Sequence, residues 1–377
     1  MANILRRLGA KSIWTLCRLL PVRKNKVVFS HFGGKGFGDN PKAIAKELLK
    51  SGENLDLVWV VSDVTTPMPK GIRVCRYGSV QAAKELSTAR VWVNDSRGGA
   101  HYKRKKQYYM QTWHGFALKC IERSAKNLPQ TYVEQGKRDS AQTDVIVSNS
   151  AFMTKIYKED FWYDGVVEEF GSPRNDIFFR DNEALHREIL ETFGIEEDRK
   201  LLLYAPTFRD DGSMEAYRIE IDQVLAACQK RFGGKWSALM RLHPNVAKQS
   251  AGLFAYEQGR IVDATAWADM QELLATVDLL ITDYSSSMFD FILRDKPCIR
   301  FATDLEQYRA LRNFYFPLEA LPMPLAQSND ELCALLESYD SSQDAQRRQV
   351  FMKENGFCED GEASRRCAQW ILSRIKE

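Results

Sequence analysis

Two histidines sit where an imidazole can work on a substrate. His114 lies in Gln111-Thr112-Trp113-His114-Gly115 and His243 in Arg241-Leu242-His243-Pro244, each just past a predicted strand. An imidazole titrates near pH 6.5, so it can take or give a proton at neutral pH. Gly115 permits a sharp turn and close backbone approach, and Pro244 stops strand pairing and holds its neighbour in a loop. The chain has five histidines. His31 also follows a predicted strand and ranks below the pair, while His101 and His186 read as surface residues.

A second group is rich in hydroxyls. Thr282, Asp283, Tyr284, Ser285, Ser286 and Ser287 connect a predicted strand to an apolar helix. Hydroxyls and unpaired amides at a helix start suit an anion such as phosphate. Plain capping by serine is the competing reading, although capping needs one serine rather than three. Asp290 falls in the first turns of that helix, to contact a ligand or stay solvated. Tyr204-Ala205-Pro206-Thr207-Phe208-Arg209 is a further strand-end segment. Arg209 and Arg241 would give fixed positive charge to a diphosphate, or are ordinary surface arginines.

These residues need strands to carry them. Strands are predicted at Lys26–Ser30, Leu55–Val61, Ile72–Cys75, Arg90–Asn94, Tyr108–Trp113 and Val145–Ser148, with helices such as 41–49 and 79–87 between them. The series restarts with Leu201–Tyr204, Ala238–Leu242, Arg260–Val262, Leu279–Thr282 and Cys298–Phe301, separated by helices at 219–232, 267–276 and 287–294. Strands that are apolar without alternation belong to parallel sheets covered on both faces. The expected fold class is α/β, with two doubly wound parallel-sheet domains facing an interdomain cleft. The expected division is residues 1–25, 26–180, 181–355 and a C-terminal helical segment 356–377, with the break near Gly171-Ser172-Pro173-Arg174-Asn175-Asp176. Open parallel sheets bind ligands beyond the carboxyl ends of their strands.

Several chemistries lack their motifs. Gly33-Gly34-Lys35-Gly36-Phe37-Gly38 misses the dinucleotide spacing, and Asp39 stands where a P-loop needs lysine. No Asp-x-Asp occurs, which weakens metal-dependent sugar transfer, and no nucleophile-elbow motif occurs. Eight cysteines are scattered without metal-ligand spacing, so no metal site is expected and the thiols read as reduced and cytosolic.

At 377 residues, 44% hydrophobic and 27% charged, the composition is that of a two-domain globular protein. Net charge is +3, which gives no global basic field for nucleic acid. The total conceals an asymmetry. Residues 1–26 hold seven basic side chains and no acid, leaving −4 for the rest. Ile13, Leu16, Cys17 and Leu20 follow helical spacing within that end. Two readings stand: a helix lying on an anionic membrane surface, and a helix docked on its own domain. The apolar run is too short to span a bilayer, and Arg18 spoils a signal peptide.

Taken together, Trp113-His114-Gly115, Ala205-Pro206-Thr207-Phe208-Arg209, Arg241-Leu242-His243-Pro244 and Thr282-Asp283-Tyr284-Ser285-Ser286 resemble, in this order, the CDP-glycerol glycerophosphotransferase family. These are enzymes of the teichoic-acid primase and polymerase type, with capsule-type relatives. Gly171–Asp176 looks like the family's interdomain loop and Asp39-Asn40-Pro41 like its early segment, so the likeness runs over roughly residues 26–355.

The resemblance implies a GT-B-like fold of two Rossmann-like domains, an acceptor domain at 26–180 and a CDP-alditol donor domain at 181–355. It implies transfer of glycerol phosphate or ribitol phosphate from CDP-glycerol or CDP-ribitol to a hydroxyl of a lipid-linked or polysaccharide acceptor, with CMP leaving. It places such enzymes in the cytoplasm, peripheral on the inner face of the cell membrane, here through residues 1–25. His114 and His243 match the family's essential histidines, Ser285 and Ser286 its phosphate-contacting hydroxyls, and Arg209 and Arg241 basic positions near the donor. No cofactor is expected, and divalent ions are expected to matter little. The long additions of polymerising members are missing, which favours a primase-like or capsule-type enzyme. The rival expectations are a GT-B glycosyltransferase using a nucleotide sugar, and a membrane-bound polysaccharide-binding protein without activity.

Overall fold

The computed structural model describes residues 13–98, 103–209, 213–242 and 253–377. The chain forms two compact units. The first comprises Met1–His114, Glu122–Asp176 and Phe357–Glu377; the second comprises Gly115–Ile121 and Ile177–Gly356.

The first unit is built on seven strands: β1 (Lys26–Ser30), β2 (Asp56–Val61), β3 (Ile72–Arg76), β4 (Val91–Asn94), β5 (Tyr108–Gln111), β6 (Val145–Val147) and β7 (Val166–Glu168). Their order is β3-β2-β1-β4-β5-β6-β7, and every neighbouring pair is parallel. Successive side chains of a strand point to opposite faces. Val27 and Phe29 of β1 therefore enter one apolar cluster, with Ile44, Ala45 and Leu48 of the helix Asp39–Lys50. Val28 enters the other, with Val58, Val60, Ala82, Leu86 and Trp92. Both faces are buried, which is why these strands read as continuous apolar runs.

The C-terminal helix, Ala363–Lys376, does not stand apart as a separate segment. Cys367, Ala368 and Ile371 share one helical face and complete the cluster around Phe29 and Trp59. Its start is held by Asp176, whose carboxylate accepts from the amides of Ala363 at 3.0 Å and Ser364 at 2.8 Å. Glu359 accepts from the Ser172 amide and the Asn175 side chain at 2.9 and 3.0 Å. Segment 171–176 ends where the first unit gives way to the second, after Asp176, and it also anchors the chain's last helix in the first unit. Paired, inward-facing carboxylates explain this, since burial demands that each amide find an acceptor.

The second unit has six parallel strands: β8 (Arg199–Tyr204), β9 (Lys235–Met240), β10 (Ile261–Asp263), β11 (Leu279–Thr282), β12 (Cys298–Phe301) and β13 (Leu325–Ala326). The order β10-β9-β8-β11-β12-β13 has the same reversal as the first sheet. Leu202, Tyr204, Ala238, Met240, Ile281 and Phe301 meet Val224 and Cys228 of the helix Ile221–Phe232 in its core. Segment Gly115–Ile121 belongs here, with the Phe116 ring 4.6 Å from Phe289 and 6.0 Å from Phe351.

Two Rossmann-like units of this kind are the GT-B-like fold expected. Two strands were not foreseen. β7 and β13 span only three and two residues at sheet edges, too short for a periodic signal. At the start of the chain, Trp14 packs against the Val28 cluster while Leu16 and Leu19 stay 64% and 79% exposed. Docking and outward leucines occur together, so the two readings of this helix do not exclude each other. Among the described residues no helix is long and apolar enough to cross a membrane.

Candidate functional site

In the first sheet the order reverses between β1 and β4, the place where following segments diverge and leave a crevice. Register decides what lies there. Ser30 pairs with Asn94, so the next residues, His31 and Asp95, leave the sheet side by side. Asn94 pairs in turn with Gln111, which brings His114 in from β5.

Asp95 is fully buried and joins three groups. His31 Nδ1 lies 2.5 Å from Oδ2, the Phe32 amide donates to Oδ1 at 2.8 Å, and His114 Nδ1 lies 2.6 Å from the Asp95 carbonyl oxygen. A carbonyl can only accept, so His114 carries its hydrogen on Nδ1 and keeps a lone pair on Nε2. The Phe32 ring touches both imidazoles, 4.8 Å from His31 and 4.7 Å from His114, and Trp113 stacks on His114 at 4.3 Å.

Behind these rings lies an ionic clasp. Arg174 Nη1 donates to Asp39 at 2.7 Å, and its amide donates to Asn40 at 3.0 Å. Asn40 Nδ2 donates to the Trp113 carbonyl at 2.9 Å. The segment carrying His114 is thereby tied to segment 171–176. Phe32, Asp39 and Trp113 all have positive φ, at 39°, 57° and 50°. Non-glycine residues rarely adopt that region, and strain of this kind concentrates at functional sites.

Burial lowers the His114 pKa; the bond to Asp95 and the negative charges of Asp39 and Asp95 oppose it without reversing it. Burial works to raise the Asp39 carboxyl, but Arg174, the Asn40 amide and the two imidazoles outweigh it and hold it below its usual value. A base works only when neutral. The acid limb of kcat/KM should therefore fall below the ordinary histidine value of about 6.5. A pH profile on a neutral acceptor checks this, and a limb above 7 would contradict it.

His31, Asp39 and Asp95 bring potential ligand atoms within 4.8 Å of one another. The donor set suits a cation poorly. Asp95 is engaged by His31 and Phe32, and Asp39 by Arg174, so a metal would have to displace an ion pair and two hydrogen bonds.

The second sheet repeats the reversal between β8 and β11. There the Thr282 hydroxyl donates to the Ala205 carbonyl at 2.7 Å. Asp283 accepts from the amides of Thr207 at 2.8 Å and Tyr284 at 2.5 Å, and from Arg209 at 2.8 Å. Arg209 also donates to Asp304 at 2.6 and 3.1 Å, and its side chain is 5% exposed. The guanidinium lies 5.1 Å from each ring of the stacked pair Tyr284 and Tyr308. Burial opposes its charge, yet Asp283 and Asp304 raise its pKa above the usual arginine value. Arg209 and Asp283 thus spend their charge on each other.

The other expected residues have varied placements. Arg241 donates to the carbonyls of Ala264 and Trp267, and burial lowers its pKa. Ser285 and Ser287 share a hydrogen bond of 2.9 Å, Ser286 is half-buried, and Asp290 is buried. The Thr207 hydroxyl is buried and has no hydrogen-bond partner among the described residues. His243 lies outside the described residues.

Sequence reasoning missed Asp95, and ranked His31 too low for the centre it occupies. Asp95 follows a strand as His114 does, so the strand-end rule could have found it. Arg174 has no such signal, because its partner Asp39 is 135 positions away.

A teichoic acid poly(glycerol phosphate) polymerase of Bacillus subtilis is 31% identical over 88% of this chain and 46% of its own length. This chain therefore spans about half of that relative. A teichoic acid glycerol-phosphate transferase of Staphylococcus aureus is 29% identical over 98% of this chain and 99% of its own. A solved structure of the wall teichoic acid polymerase TagF, a single-residue variant, superposes with a TM-score of 0.88 at 27% identity, covering 99% of this chain and 95% of that one. The family model for CDP-glycerol:poly(glycerophosphate) glycerophosphotransferases matches residues 12–373, and this chain belongs to that family.

Proposed function

We propose that the protein transfers glycerol phosphate or ribitol phosphate from a CDP-alditol to a hydroxyl of a lipid-linked or polysaccharide acceptor, releasing CMP, in the synthesis of a teichoic-acid or capsule-type polymer. The observation that carries this reading is His114: a strand-end imidazole whose Nδ1 is held by a carbonyl and whose pKa is lowered, so that Nε2 is a neutral base.

In the proposed reaction His114 Nε2 takes the proton of the acceptor hydroxyl. The hydroxyl oxygen forms a bond to the β-phosphorus of the donor. The bond from that phosphorus to the bridging oxygen breaks, and its electron pair leaves with CMP. Little covalent work falls to the protein, so positioning and charge stabilisation dominate. Ser285, Ser286 and the unsatisfied Thr207 hydroxyl are proposed to contact the diphosphate, with His243 and Arg241 as further donor contacts. The Arg209–Asp283 pair would shape that surface from beneath.

Residues 1–25 are proposed to hold the enzyme on an anionic membrane surface, at the cytoplasmic face. The basic charge of that end and the exposed Leu16 and Leu19 support this.

Mass spectrometry of products from CDP-glycerol and from CDP-ribitol, on lipid-linked and soluble acceptors, tests the reading. An acceptor mass raised by one alditol phosphate, with matching CMP, supports it. Release of UDP from a UDP-sugar and none of CMP would replace it with sugar transfer.

A further inference from the structure

Asp95 belongs to neither of the motifs that contain histidine, yet the imidazoles of His31 and His114 depend on it. Its carboxylate faces His31 Nδ1 and the Phe32 amide, and its carbonyl faces His114 Nδ1. The residue is 0% exposed, so water does not compete for these bonds. Phe32 is held at φ 39° by the Asp95 bond to its amide, and its ring presses on both His31 and His114. The other side of His31 is packed as closely: a Cβ added to Gly38 would come within 3.1 Å of Nε2.

We propose that Asp95 is the positioning residue of this site, fixing His31 through its carboxylate and His114 through its carbonyl, so that the two imidazoles and the Phe32 ring between them act as one unit. The reaction it serves rests on the function proposed above; the placement of the rings does not.

The chemistry of the carboxylate explains why asparagine cannot replace it. Two donors, His31 Nδ1–H and the Phe32 amide, converge on its two oxygens. An amide offers one oxygen and one NH2 group. If the oxygen keeps Phe32, the NH2 group faces His31 and forces its hydrogen onto Nε2, toward Gly38. If the oxygen keeps His31, the NH2 group faces the Phe32 amide, donor against donor, and the strained turn loses its anchor.

The test uses the full chain labelled with 15N-histidine, whose five imidazoles give a resolvable spectrum. The parent should show His31 and His114 with hydrogen on Nδ1. Asp95→Asn should move the His31 signals to the other tautomer or broaden them. In the transfer assay it should lower kcat roughly 10²-fold, at the low end of what a misplaced base costs, with donor KM changed less than twofold. Gly38→Ala is the second variant. Position 38 has extended backbone, φ −161°, so alanine brings no strain there and acts only by crowding Nε2. It should shift the His31 signals and reduce kcat without touching Asp95, which keeps the idea testable if Asp95→Asn does not fold. Unchanged His31 signals in both variants would overturn the proposal, as would a kcat within threefold of the parent. A parent chain that transfers no alditol phosphate would sink the functional reading instead, and the tautomer result would still decide the role of Asp95.

Discussion

His114→Ala should lower kcat by about 10²–10⁴-fold, the usual loss when a positioned base is removed. Donor KM should hardly move, because the ring is assigned to the acceptor proton rather than to CDP. The fold should survive. The imidazole is half-buried and stacked on Trp113, while Trp113 itself stays fixed by the Asn40 bond to its carbonyl and by its own amide, which donates to Gln111 at 2.9 Å. Far-UV circular dichroism and single-turnover kinetics check the two halves of this expectation. A variant that keeps near-normal turnover would remove His114 as the base, and attention would pass to His31.

Arg209→Ala should act on stability instead. Its guanidinium links Asp283 and Asp304 in a setting where its own side chain is 5% exposed and that of Asp283 is 0%. Removing one partner of a buried pair typically costs about 3–5 kcal/mol, because the charge left behind has lost both water and counter-ion. For a unit of this size that corresponds to a fall in Tm of roughly 6–20 °C. Asp304 is 20% exposed and can be partly rehydrated, so Asp304→Asn should cost less. Arg209→Lys should fall between them, since lysine keeps the charge and loses the fork that reaches both carboxylates. Thermal unfolding of the three variants gives the ranking. If Arg209→Ala melts with the parent and only donor KM rises, the arginine is a donor ligand after all and the buried clamp is not its role.

The difference between these two residues shows what sequence reasoning can reach. Both stand just past strands, and both were singled out on that ground. For His114 the rule names the place the ring takes just past β5, since the strand before it and the glycine after it are local features. For Arg209 a place past a strand does not name the partner. Whether an arginine faces a ligand or a carboxylate depends on Asp304, 95 positions away. The same limit explains Asp95. Its partner His31 is set by the register of β1 on β4, two strands separated in sequence by β2 and β3.

By itself the sequence determined most of the strands, several of the helices, the doubly wound class, the strand-end position of His114 and the family. Those properties are local: they depend on residues a few positions apart, through side-chain alternation and backbone preference. Only the tertiary structure decided that Asp95 joins two imidazoles, that Arg174 braces Asp39, that the last helix completes the first core, and that Arg209 pairs with Asp283 and Asp304. Each of these depends on which strand lies beside which and on how much water burial removes. Charges and hydrogen-bond donors take their partners from that packing, so their roles are written only once the chain has closed on itself.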